Sequence, residues 1–218
     1  GNAATVLVGD FLYSRSFQMM VTIDSMRIMK VLSDATNMIA EGEVEQLLNL
    51  HDPEVNEESY FSVIEKKTAK LFEAACQLGA VLAGKPELED SMALFGRELG
   101  AAFQVADDVL DYTADAKILG KNIGDDLAEG KPTLPLILAR KHLEAEQLAL
   151  IDDTIREGGL DQIGKIVALI QECGALRESM DVACDRSQSA IEAIAGIPDS
   201  AWKDAMVSLA SYSVSRQY

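Results

Sequence analysis

The segment 103–111 sets Gln104, Asp107, Asp108 and Asp111 at i, i+3, i+4 and i+7. On a helix this spacing gathers them on one stripe, continued backward by Gly100, beside an apolar face of Leu99, Phe103, Ala106 and Leu110. Carboxylates on adjacent turns repel by a few tenths of a kcal/mol per exposed i,i+4 pair, and by more when partly buried. A divalent cation removes that cost. Ligands that are all oxygen point to Mg²⁺, which keeps several waters and is completed by substrate phosphate. A solvated acidic face has the same spacing; the Gly100 and Gln104 continuation and the Gly/Lys segment that follows favour the metal. An EF-hand is excluded, because its alternating Asp/Asn positions and central Gly are missing.

Two further groups suit an anion. Tyr60, Ile64, Lys67, Leu71, Ala74 and Leu78 share one helical stripe, so Lys67 sits among apolar positions with Lys66 and Lys70 to the outer sides. A lysine there either snorkels or meets an anion, and Thr68 offers a hydroxyl to the same anion. The segment 120–133 carries Lys121 and Lys131, each directly after a glycine, with Gly124 between them. Glycines let a chain fold closely over a diphosphate, and lysines are compact point charges for it. The same segment also reads as a capped linker ending in Pro132 and Thr133. Other schemes fail: His51 and His142 lie far apart with no Glu-x-x-His, and there is no Gly-x-Ser-x-Gly elbow or Walker sequence. Cys76 reads as a core residue.

The elements that must position these residues are helices. Apolar periodicity predicts them at about 3–21, 25–50, 57–83, 86–112, 133–143, 146–157, 160–173, 175–194 and 200–213, with no surviving strand alternation. His51, Asp52 and Pro53 end the second, Asn56 or Glu57 caps the third, and Gly84 to Pro86 separates the third from the fourth. One long irregular stretch, 114–132, is of the length that functional loops have. Beyond Pro135 the helices shorten and turn acidic, as a packing layer.

The chain has 218 residues, 19 Lys+Arg and 36 Asp+Glu, a net charge of −17 that argues against a general nucleic-acid surface. Hydrophobic residues are 48% and aromatics 6%, a balance suited to one all-α domain over 1–218. Three cysteines without a CxxC pair fit a reducing cytoplasm, and no run of 18 apolar residues or export signal appears. The chain opens without Met, inside a helical pattern, so an incomplete protein is expected.

The sequence resembles the trans-prenyltransferase (polyprenyl diphosphate synthase) family, and within it the octaprenyl diphosphate synthases of bacterial quinone biosynthesis. The resemblance rests on residues 1–13, Ile39 to Glu43 with Gln46 and Leu47, Lys67 to Ala69, Gly100 to Asp111, and Gly120 to Pro135. It implies an isoprenoid synthase type helical bundle around a central cavity, a homodimer, and Mg²⁺-dependent head-to-tail condensation of isopentenyl diphosphate onto an allylic diphosphate such as farnesyl diphosphate. Residue by residue, it gives Asp107, Asp108 and Asp111 to the metal, and Lys67, Thr68, Lys121 and Lys131 to the allylic diphosphate, with Gln104 supporting them. Catalysis falls to Asp107, Asp108, Lys67 and Lys121. The family faces this aspartate motif with a first one, followed by arginines that bind isopentenyl diphosphate, and these are not in the 218 residues. The resemblance therefore implies the C-terminal two thirds of a family chain, inactive alone. A non-catalytic helical partner subunit and a class I terpene cyclase are the rival readings. On the first predicted helix, Leu12, Ser16, Met19 and Met20, with Phe17 nearby, are expected either to line a tunnel for the growing tail or to pack as core.

Overall fold

The computed structural model describes residues 1–113 and 123–215, and these residues are all-α, without a strand among them. Helix α1 (Asn2–Val21) leads through a turn into α2 (Met26–Asn49), whose N-cap Ser25 accepts from the Ile28 amide. Pro53 and a His51 in the left-handed region (φ 64°) break the chain before α3 (Glu57–Ile64), capped by the Asn56 side chain on Ser59 N–H. The expected single helix 57–83 is in fact three pieces: α3, a π-helical turn (Glu65–Ala69) and α4 (Lys70–Leu82). A π-turn inserts one residue and rotates everything after it by about 100°. That explains why Leu71, expected on the stripe of Tyr60 and Ile64, is 53% exposed while those two are buried.

A short 3₁₀ turn (Pro86–Leu88) feeds the long central helix α5 (Glu89–Thr113). Beyond residues 114–122 come α6 (Asp125–Ala128), α7 (Leu134–Ala139), α8 (Ala145–Glu157), α9 (Ile163–Glu172), α10 (Ala175–Ala193) and α11 (Ala201–Ser215). The stretch 114–132, expected to be irregular, thus contains helix α6, and α7 is shorter than the expected 133–143. Cys76 is half-buried against the cluster of Phe95 and Leu99 rather than fully inside it.

Helix α5 is the axis of the molecule: α4 covers one side and α10 another. Both approaches rely on small residues. Helix α10 turns Ala175, Ser179, Ala183, Ser187 and Ala190 inward, all buried and spaced at helical intervals. On the opposite side Gly96 and Gly100 of α5, one turn apart, abut the Phe72 carbonyl and Ala69. A Cβ built at Gly96 would lie 2.3 Å from Phe72 O, and one at Gly100 would lie 2.6 Å from Ala69 Cα. Gly42 of α2 closes on the same turn, 2.7 Å from Lys67 N by the same construction. The π-turn is therefore wedged between two helices that only glycine allows this close.

Helix α1 is the exception to this close packing. Met20 is its buried residue, while Leu7, Phe11, Leu12, Tyr13 and Met19 are exposed. Phe17 is half-buried and meets Tyr13 edge-on at 5.0 Å.

Candidate active site

One cavity, of about 230 Å³, opens between α2, α3, the π-turn, α5 and the segment 126–133. It collects Lys67, Thr68, Gln104, Asp107, Asp108 and Lys131 among its lining residues, six of the eight site residues expected from sequence. Asp111 is not on the lining. It lies one turn further along α5, its carboxylate accepting from the Asp126 amide at 3.3 Å and its carbonyl from the Gly124 amide at 2.9 Å. Lys121 lies outside the described residues.

The positions follow from the helices. On α5, residues 100, 104 and 108 stand one turn apart on one face, opposite Ala69, Thr68 and Tyr60 in that order. Thr68 Oγ1 donates to Gln104 Oε1 at 3.0 Å, and Gln104 Nε2 donates to Asp108 Oδ1 at 2.8 Å. Tyr60 Oη donates to the other oxygen, Asp108 Oδ2, at 2.6 Å. A continuous chain of hydrogen bonds thus links the Lys67–Thr68 turn to the aspartates.

The charges are crowded. Asp108 is buried at 3% exposure, and burial together with the carboxylates of Asp126 and Asp107 pushes its carboxyl up to about 8, against the pull of the Tyr60 and Gln104 bonds. Burial and Asp126 likewise raise Asp111 to about 6. Asp107, by contrast, is exposed at the cavity wall. Both lysines already have acidic or polar partners. Lys67 Nζ donates to Gln46 Oε1 and lies 3.0 Å from Glu43 Oε2. Lys131 Nζ lies 2.9 Å from Asp126 Oδ1 and 2.6 Å from Glu129 Oε2. Burial alone disfavours the charged Lys131, but the bonds to Glu129 and Asp126 outweigh it and raise its pKa.

Sequence reasoning missed Tyr60, Gln46 and Asp126 as site residues. Asp126 was legible as part of an acidic pair after Gly124, but only the turn at Gly124 (φ 82°) brings it back beside Asp108 and Asp111. Gln46 and Glu43 stand three apart on α2, a spacing that faces them to one side without saying which side is inward.

Among the described residues, no three His, Cys, Asp or Glu side chains converge tightly enough to cage a metal. The donors nevertheless fit a hard cation: Asp107, Asp108 and Asp126 present oxygen only around one cavity, and a bound cation would favour the ionised form that burial disfavours at Asp108. An open carboxylate wall matches Mg²⁺, which binds through one or two carboxylates plus phosphate rather than through a protein cage.

An all-α bundle whose cavity sets carboxylates on one helix against lysines from a turn and a loop is a scaffold for metal-assisted phosphate chemistry. The polyprenyl synthetase family matches residues 1–172, and the chain belongs to that family. It is 50% identical to octaprenyl diphosphate synthase of Haemophilus influenzae over 220 residues, covering 100% of this chain and 67% of that one. The all-trans-nonaprenyl-diphosphate synthase (geranyl-diphosphate specific) of Rhodobacter capsulatus is 45% identical, over 99% of this chain and 66% of its own. Among solved structures, polyprenyl synthase from Caulobacter crescentus, complexed with calcium and isoprenyl diphosphate, superposes with a TM-score of 0.95 at 41% identity, over 100% of this chain and 67% of that one. The chain thus spans about two thirds of the length of these relatives, and it is a prenyltransferase by family.

Proposed function

We propose that this cavity holds Mg²⁺ and an allylic diphosphate, and that the protein extends prenyl chains head to tail with isopentenyl diphosphate. The observation that carries the reading is the placement of Lys67, Thr68, Lys131 and three aspartates around one cavity. In the reaction the allylic C1–O bond breaks and its electron pair leaves with the diphosphate. The double bond of isopentenyl diphosphate then attacks C1, and the proton next to the resulting cation passes to the released diphosphate, restoring an alkene. Lys67 and Lys131 exchange their carboxylate partners for the departing diphosphate and neutralise its charge, a contribution that preorganised groups make in a cavity shielded from water. Gln104 and Thr68 hold the turn that aims Lys67. Asp107 and Asp108, with Asp126 beside them, would hold the cation, which supplies charge neutralisation of the leaving group. Asp111 acts at one remove, by fixing the 124–126 turn.

The likeness to octaprenyl diphosphate synthases supports a long-chain product for a quinone side chain and farnesyl diphosphate as the allylic primer. The same likeness supports a homodimer working in the cytoplasm, and no helix among the described residues is long and apolar enough to cross a membrane. We further infer that the 218 residues alone bind diphosphate but do not turn over, because the facing aspartate motif of the family is not among them.

The test is twofold. Calorimetry should show Mg²⁺-dependent binding of farnesyl diphosphate that Asp107→Ala abolishes; unchanged binding refutes the metal role. Incubation of the 218-residue chain with farnesyl and isopentenyl diphosphates should give no long-chain product, and product formation would overturn the second half.

A further inference from the structure

We infer that Tyr60 is a positioning residue of this site, setting the Lys67–Thr68 turn through Asp108 and Gln104, an inference that rests on the diphosphate reading above. Tyr60 is 6% exposed and comes from α3, an element with no acid or lysine facing the cavity. Its hydroxyl is committed to Asp108 Oδ2 at 2.6 Å. Its ring is held edge-on by Phe61 at 5.2 Å, and its helix is anchored one turn earlier by the Asn56 cap.

The logic of the chain gives the phenol its importance. A carboxylate on Cβ rotates readily, so a single bond from Gln104 leaves its plane free to turn. With Oδ2 held by Tyr60, Oδ1 is fixed toward Gln104. An amide that spends its N–H on Asp108 must present its oxygen at the other end, and that oxygen takes the Thr68 hydroxyl. Asp108, an acceptor at both oxygens, thus orients Gln104, and Tyr60 fixes the plane of that carboxylate and, through Gln104, supports the rotamer of Thr68 beside Lys67.

The register makes the same point. Along one face of α5, Gly100 abuts Ala69 at the end of the π-turn and Asp108 meets Tyr60 one turn before its start. The turn that carries Lys67 and Thr68 is thus pinned at both ends, sterically at Gly100 and by hydrogen bond at Tyr60. A π-turn breaks the regular hydrogen-bond ladder, so its conformation is set by such external ties.

A double-mutant cycle on the 218-residue chain tests this, with Mg²⁺ and inorganic diphosphate as the calorimetric probe and Tyr60→Phe, Asp108→Asn and the pair as variants. Tyr60→Phe keeps the buried ring and removes one bond to an acid, so the diphosphate dissociation constant should rise about tenfold. Asp108→Asn should weaken binding too, and the double variant should be no weaker than Asp108→Asn alone, because Tyr60 acts through Asp108. Equal binding by Tyr60→Phe and wild type, or losses that simply multiply in the double variant, overturn the proposal: either leaves Tyr60 a packing residue. A wild-type chain that does not take up the probe refutes the site itself, and Tyr60's part with it. Should Tyr60→Phe fail to fold, Gln104→Leu cuts the same chain one bond further on, and multiplicative losses with Asp108→Asn again overturn the inference.

Discussion

Replacing Gly100 with alanine puts a methyl where the backbone of the π-turn already stands. The new Cβ would be 2.6 Å from Ala69 Cα and 3.1 Å from the Cβ atoms of Ala69 and Phe72. Carbon atoms rest at about 3.5–4.0 Å, so α5 and the turn must part by about 1 Å. Overpacking of this kind costs about 1–3 kcal/mol. Alanine recovers about 0.5–1 kcal/mol of helix propensity, which leaves a net loss of up to about 2.5 kcal/mol. At about 2–4 °C per kcal/mol for a chain of this size, Tm should fall, by up to about 10 °C. The same displacement stretches the 3.0 Å bond from Thr68 to Gln104 beyond hydrogen-bonding range, so diphosphate binding should weaken in parallel. Gly79→Ala in α4 is the internal control, because its added Cβ meets nothing within 4 Å and should raise Tm by about 1–4 °C. Urea denaturation with an unchanged m-value measures the first quantity and calorimetry the second. If Gly100→Ala proves as stable as Gly79→Ala, the close approach is wrong. If it is destabilised yet binds diphosphate normally, the turn does not aim the site.

With chelator present, the chain should lose stability as pH rises. Asp108 is raised in the fold from 3.8 to about 8, so the folded state holds an extra proton between those values, and stability drops from about pH 4 upward and levels off above about pH 8. Between pH 6 and 8 the loss from this group is up to about 2 kcal/mol, and Asp108→Asn should flatten the profile while weakening metal-dependent binding; a flat wild-type profile contradicts the burial argument. Lys131→Gln should raise the dissociation constant for Mg²⁺-diphosphate about tenfold or more, with a shallower salt dependence than wild type; unchanged binding removes Lys131 from the site. In a protein carrying both aspartate motifs, replacing Phe17 or Met20 by Ala should lengthen the product if α1 lines the tail's path, and unchanged chain length in a product assay favours simple packing.

Helical spacing alone was enough to put Gln104, Asp107 and Asp108 on one stripe, since consecutive turns of one helix cannot separate them. It also placed α2, α8 and α10 almost to the residue, because their apolar and small positions repeat without interruption, whereas α5 begins three residues later than expected, after the 3₁₀ turn Pro86–Leu88. What stayed illegible has a common cause, dependence on contacts between segments. The π-turn leaves no mark in the periodicity of Glu65 to Ala69; it shows only in Gly42 and Gly100, whose partners are known once the fold is known. Asp111 fits the stripe as well as its neighbours do, yet its carboxylate meets the Asp126 amide, because a left-handed Gly124 returns the chain to that point. Tyr60 reads as one more apolar stripe member until Asp108 is found beneath its hydroxyl.

The chain carries a net charge of −17, and even the cavity offers little free positive charge to an anion. Three carboxylates stand against two lysines, and each lysine is already engaged, Lys67 with Gln46 and Glu43, Lys131 with Asp126 and Glu129. A bare diphosphate would therefore add uncompensated negative charge beside Asp107 and Asp108, at a cost that low dielectric enlarges. A bare cation would meet a wall too open to hold it firmly. Each ligand supplies what the other lacks, so their binding must be positively coupled. Because such coupling is reciprocal, diphosphate should tighten Mg²⁺ by the same factor that Mg²⁺ tightens diphosphate. On the proposed reading, a cation held by Asp107, Asp108 and Asp126 would free Lys131 from Asp126 for the phosphate oxygens, whereas Lys67 would have to turn to them from Gln46 and Glu43.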